Sequence, residues 1–146
     1  MIYLNVFYLI FIMDVLTVGL AIIHKNGNVL IGCRKEKDEF VEHLTWVFPG
    51  GKLESLNFEK EIKKLAKEET GLDINFNKII AVRKTPDAKI NIILIYFDCV
   101  SKGIEKPGGD LKELKWVPAT SVCKYFTTSV MNEVMIFLKE IEDKKL

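Results

Sequence analysis

Trp46-Val47-Phe48-Pro49-Gly50-Gly51-Lys52-Leu53-Glu54, followed by a charged segment that closes on Glu68-Glu69-Thr70-Gly71-Leu72, decides how this chain folds. Pro49 fixes its own φ and restricts Phe48, while Gly50 and Gly51 leave bare backbone that a ligand can approach. A helix must follow. Asn57 is a good N-cap, good helix formers fill Glu59 to Glu69, and Gly71 stands where a C′ glycine ends a helix. At about 100° per residue from Phe58, Ile62, Leu65 and Ala66 fall at roughly 40°, −20° and 80°, and Glu69 at roughly 20°. Glu69 is thus centred on the apolar stripe, with Glu68 at its edge and Lys60, Lys63, Lys64 and Lys67 on the opposite side. A buried carboxylate needs a partner. Two carboxylates beside loop carbonyls are hard oxygen donors of the kind Mg²⁺ or Mn²⁺ takes, with waters and phosphate oxygens completing the shell. The competing reading is that the stripe opens at the helix end and both glutamates are solvated.

The segment from Gly50 to Leu72 resembles the signature box of the Nudix hydrolases, G-x5-E-x7-R-E-U-x-E-E-x-G-U with U aliphatic. Glu68, Glu69, Gly71 and Leu72 match its closing E-E-x-G-U, and Gly50, Gly51 and Lys52 match its opening glycines and basic residue. Aligned from its end, the family's arginine is Lys64, the next glutamate is Leu65, and the early glutamate falls at or near Leu56. The lost acid at Leu65 shares a helix face with the closing pair at i, i+3 and i+4 spacing. The GDP-mannose mannosyl hydrolase branch also has leucine there and keeps the final glutamate.

What the resemblance implies is an α/β chain with a Nudix-type α/β/α sandwich and mixed sheet, covering most of the chain from about Val15 onward. It implies metal-dependent hydrolysis of a nucleoside diphosphate linked to another moiety, or of a nucleoside triphosphate. Glu68, Glu69 and the Gly50 carbonyl are the expected metal donors. Lys64 replaces the arginine that braces loop and carboxylates, keeping the charge without the bidentate fork. An acidic residue before the tryptophan-containing strand often supplies a further metal ligand or the base that activates water; Asp110 is the first candidate and Glu113 the second, each otherwise a turn residue. Gly51, Lys52 and Arg34 are the candidate substrate contacts. Two alternatives stay open: a non-catalytic Nudix-fold nucleotide-binding module, because Leu56 and Leu65 remove two acids, and a glycosyl hydrolase acting on a nucleotide sugar. Against the latter, Leu111 stands where the mannosyl branch has its base histidine.

Around the box, 146 residues, about half of them apolar, with net charge +1 predict one domain with a sizeable core and no electrostatic bias toward nucleic acid. Cys33, Cys99 and Cys123 are odd in number and far apart, which argues against a disulfide framework or zinc site and for a reducing, cytoplasmic setting. Residues 1–12 form an apolar extension ahead of a domain spanning 13–146; the run is a poor signal peptide and too short for a membrane span. It reads as sequence upstream of a natural start at Met13, or as an added edge strand or homodimer-forming segment, with a membrane anchor the least favoured reading.

Val15 to Ile23 and Val29 to Cys33 predict a hairpin across Asn26-Gly27. His43 is a candidate proton shuttle or a solvated loop histidine. Phe76 to Lys84, Ile90 to Val100 and Leu111 to Val117 predict further strands, Pro118 a helix start, and Val130 to Ile141 a final amphipathic helix. Pro107-Gly108-Gly109 repeats the proline-glycine-glycine theme with no helix behind it, so it does not read as a second phosphate loop.

Overall fold

In a computed structural model, residues 15–36, 45–85 and 90–144 are described. The apolar extension 1–12, His43 and the Pro86-Asp87 turn lie outside the described residues. The hairpin forms as its sequence dictates: β1 (Leu16–Lys25) and β2 (Asn28–Arg34) turn at Asn26 and Gly27, both with positive φ, and pair at His24↔Val29 and Lys25↔Asn28. His24 belongs to the β1 ladder.

Beyond the hairpin end the two strands part, and each takes new neighbours. β2 pairs antiparallel with β3 (Trp46–Val47) and with β7 (Leu111–Pro118), whereas β1 pairs antiparallel with β4 (Gly50–Lys52). Phe48 and Pro49 cross between them, and the Ala21 N–H donates to the Pro49 carbonyl at 2.7 Å. On its other side β1 pairs in parallel with β6 (Ile92–Lys102), from Leu16↔Ile92 to Ile23↔Cys99, and β6 pairs antiparallel with the edge strand β5 (Asp73–Lys84). One parallel pair among antiparallel ones makes the sheet mixed.

Alternation along the strands divides the core into two layers. Ile62 and Ala66 of α1 (Phe58–Thr70) pack with Ala21, Ile23, Leu30, Ile95 and Phe97 on one face. Val134, Phe137, Leu138 and Ile141 of α2 (Asn132–Asp143) pack with Ile22, Val29, Ile31 and Tyr96 on the other. This is the expected α/β/α sandwich. The α2 face also carries a polar cluster: buried Asp98 takes His24 Nε2 at 2.7 Å and the Asn77 amide at 2.8 Å. Asn77 reaches it because β5 has a register shift between Phe76 and Lys78.

Several boundaries differ from the sequence reading. β5 starts at Asp73, directly after the helix, because Asp73 to Asn75 find partners in Lys102 to Val100. Pro118 caps a 3-10 helix, Ala119–Lys124, and the final helix starts only at Asn132. Among the described residues no helix is long and apolar enough to cross a membrane.

Candidate functional site at the end of helix α1

The site begins with the reason α1 ends where it does. Asn57 Oδ1 accepts from the Lys60 N–H at 3.3 Å at the start, and Gly71, with φ 73°, returns its N–H to the Lys67 carbonyl at 3.0 Å at the finish. The last turn therefore brings Glu68 and Glu69 to the sheet. Glu68 is exposed, while Glu69 is buried at 7 % exposure in the layer of Ile62 and Ala66.

Gly50 meets Glu69 from the glycine loop, its N–H donating to Glu69 Oε1 at 2.8 Å. Only glycine fits there, since a Cβ on Gly50 would overlap the Gly19 carbonyl oxygen across the β1–β4 pair. Gly51 faces the helix one turn earlier, where a Cβ would stand 3.2 Å from Leu65 Cδ2. Leu65, half-buried, thus fills the place beside the loop where the box has an acid.

Asp110, the residue before β7, arrives from a third direction. Its backbone N–H favours the ionised Glu69 carboxylate, while its own like charge disfavours it. Arg34, beside the register shift that ends β2, lends opposite charge. Burial dominates and pushes the Glu69 carboxyl up from 4.5 to about 7; the Gly50 N–H opposes this, Asp110 adds to it by like charge, and Arg34 and the Asp110 N–H oppose it again. A buried carboxylate under pressure to take a proton, with a second carboxylate against it, is a place a cation relieves.

The remaining candidates lie farther out. Lys64 is exposed on the outer face of α1. Lys52 is exposed on β4, and strand alternation from Gly51, which faces Leu65, turns it away from the helix. Glu113 pairs with Cys33 and shares the β7 face of Lys115 and Val117, the face opposite α1. Of the two arginines Arg34 is the one whose charge acts on Glu69; Arg83 donates to the Ser129 carbonyl at 2.6 Å on the α2 side.

The structure therefore brings together Glu69, Gly50, Asp110 and Arg34, with Glu68 and Gly51 at the rim. Among the described residues no three His, Cys, Asp or Glu side chains converge closely enough to hold a metal by themselves. The donor set suits a hard cation held by one or two carboxylates, which keeps waters and takes phosphate oxygens for the rest of its shell. The sequence reading missed the part played by Pro107-Gly108-Gly109, which lies against the end of α1: the Gly108 N–H donates to the Glu69 carbonyl at 3.0 Å and the Lys106 N–H to the Thr70 carbonyl at 2.8 Å. Its signal was the glycine pair itself, just ahead of Asp110.

Comparison with known proteins agrees with this fold. The chain is 27% identical over 106 residues to Nudix hydrolase 2 of Arabidopsis thaliana; the match covers 69% of this chain and 38% of that protein, so this chain spans well under half of its relative. The solved structure of a MutT protein from Methanosarcina mazei Go1 superposes with TM-score 0.68 at 20% identity, covering 90% of this chain and 96% of the other. A bifunctional NMN adenylyltransferase/ADP ribose pyrophosphatase from Francisella tularensis, solved with AMP and a Mn ion, superposes with TM-score 0.69 at 19% identity over 95% of this chain and 46% of that one. The family profile described as NUDIX domain matches residues 13–135, so the chain belongs to the NUDIX domain family.

Proposed function

We propose that the chain is a Nudix-type pyrophosphohydrolase that uses Mg²⁺ or Mn²⁺ to hydrolyse a nucleoside diphosphate linked to another moiety, or a nucleoside triphosphate. The observation that carries this is the buried Glu69 carboxylate, held by the Gly50 N–H at 2.8 Å and crowded by Asp110. The neighbour from Francisella tularensis, with its bound AMP and Mn ion, supports the same class of ligand. When bound, the metal supplies positive charge to phosphate oxygens and lowers the pKa of coordinated water. Glu69 and the exposed Glu68 would hold it, helped by the Gly50 carbonyl. Asp110, exposed and adjacent, serves as a further ligand or takes the proton of the attacking water. Arg34 offsets charge beside Glu69 and is the best placed phosphate contact, and Gly51 leaves backbone open to the substrate; Lys52 and Lys64, expected from the sequence, face away from this site. Three separated cysteines, none in a disulfide among the described residues, fit a cytoplasmic setting.

The second reading, a nucleotide-binding module without turnover, is favoured by one observation, the leucine that replaces an acid at position 65 beside Gly51. Glycosyl transfer to water is disfavoured by Leu111, 1 % exposed and paired with Arg34, where the mannosyl branch has its base. A panel of nucleoside triphosphates, nucleotide sugars and ADP-ribose, incubated with Mg²⁺ or Mn²⁺ and followed by phosphorus NMR, separates the three. Phosphoanhydride cleavage by the wild type and its loss in Glu69→Gln are expected. Binding without turnover establishes the module, and free sugar with intact nucleoside diphosphate establishes the glycosyl hydrolase.

A further inference from the structure

The loop between β6 and β7 meets the carboxylate-bearing end of α1 through backbone hydrogen bonds. Its Lys106 and Gly108 N–H groups satisfy the Thr70 and Glu69 carbonyls, which the helix itself leaves without partners. That approach leaves no room for side chains: a Cβ on Gly108 would stand 2.5 Å from the Glu68 carbonyl oxygen, and one on Gly109 would stand 3.3 Å from Glu69 Cγ and 3.7 Å from the same oxygen. Gly109 also has φ +53°, a conformation glycine adopts without strain. The obstacle at Gly108 is helix backbone, which cannot swing aside as a side-chain tip can.

Asp110 follows directly and is pinned at both ends of this short path. The Leu111 N–H donates to the Gly108 carbonyl at 2.9 Å, closing the turn, and the Lys35 N–H donates to the Asp110 carbonyl at 2.9 Å from the end of β2. The distance between the Asp110 and Glu69 carboxylates is therefore set by how closely residues 107–109 lie on the last turn of α1.

We propose that Pro107-Gly108-Gly109 is a clamp, and that Gly108 and Gly109 are positioning residues which set divalent-metal affinity by holding Asp110 against Glu69. This rests on the reading of that carboxylate pair as the metal site. The glycine pair thus has a use, although no helix follows it to receive a phosphate.

The test is Mn²⁺ binding without nucleotide, read from the electron paramagnetic resonance signal of free Mn²⁺, on the full chain. Gly108→Ala is expected to weaken Mn²⁺ about tenfold or more, the range found when groups that orient metal ligands are removed. Asn57→Ala, which removes the cap at the far end of α1, lowers the melting temperature and is expected to leave Mn²⁺ affinity within about twofold, the small coupling expected of sites that share no partner. In an Asp110→Asn background, Gly108→Ala is expected to cost less than about twofold more, because its effect runs through Asp110. If Gly108→Ala does not fold, Gly109→Ala, whose nearest obstacle is a side-chain carbon, takes its place. Wild-type affinity in the glycine variant overturns the clamp, as does a loss in Asn57→Ala equal to that in Gly108→Ala, or full additivity with Asp110→Asn. A wild type that binds no Mn²⁺ overturns the metal reading and the clamp together, whereas wild-type binding with an indifferent glycine variant overturns the clamp alone.

Discussion

Glu69 makes the metal-free protein sensitive to pH in a direction opposite to that of an ordinary paired carboxylate. Burial lifts its carboxyl from 4.5 to about 7, so the folded chain binds this proton more tightly than the unfolded chain does. The stability this contributes is fully present below about pH 4.5 and is lost as the pH rises through about 7. At about 1.4 kcal/mol per pH unit, the whole effect is about 3 kcal/mol, most of which disappears between pH 5 and pH 8. Glu69→Gln removes the titration yet keeps an oxygen that accepts from the Gly50 N–H. Urea unfolding of both proteins in chelator, across that pH range, isolates the difference from every other titrating group. The wild type should lose ground to Glu69→Gln as pH rises, and at about pH 8 the variant should be the more stable. Saturating Mg²⁺ should then reverse the order, since only the carboxylate binds it well and binding to the folded state adds stability. A stability difference that stays constant with pH in chelator would refute the argument that burial of Glu69 outweighs the opposite charge lent by Arg34.

Leu65→Glu places a carboxylate beside Gly51 at i, i+3 and i+4 from Glu68 and Glu69; Mn²⁺ affinity should rise several-fold while stability drops by about 1–3 kcal/mol for the half-buried position. In that background Asp110→Asn should cost far less than alone, and weaker metal binding with a large loss of stability would mark Leu65 as core. His24→Ala leaves buried Asp98 with Asn77 as its one remaining side-chain partner among the contacts described above, and should lower the unfolding free energy by about 2–3 kcal/mol with Mn²⁺ affinity unchanged. Gly50→Ala drives a Cβ into the Gly19 carbonyl, so both the β1–β4 pairing and Mn²⁺ binding should be lost; a folded variant with native Mn²⁺ affinity would contradict the geometry of the loop.

The fold was legible because its signals are local. Asn26-Gly27 announced the hairpin, Asn57 and Gly71 bracketed α1, and the position of Glu69 on the apolar stripe indicated its burial. What the sequence could not carry was convergence. Arg34 and Asp110 are far apart along the chain and share the site because β2 and β7 are neighbours, which no spacing displays. Lys52 follows two site glycines directly, yet strand alternation turns it to the other face. Glu113 lies three residues from Asp110 and also ends on the α2 side, a matter of register that a motif does not encode. The early start of β5 and the short 3-10 helix after Pro118 depend on which partners the sheet offers, and propensity is silent on that.

The parallel pairing of β1 with β6 has a kinetic consequence. β1 and β6 come together only after everything from the Asn26-Gly27 turn to the end of β5 has been looped out, and that loop contains the glycine loop and the whole of α1. Closing it is an entropic loss met before the ladder returns any energy, so this topology folds slowly compared with a helical bundle of equal length. The order of events then separates the scaffold from the chemistry. Asp110 reaches Glu69 only once β7 has found β2, itself a pairing across most of the chain, so interactions at the carboxylate pair are expected to form late. Substitutions there should change how fast the native protein opens and leave the rate at which it folds nearly untouched.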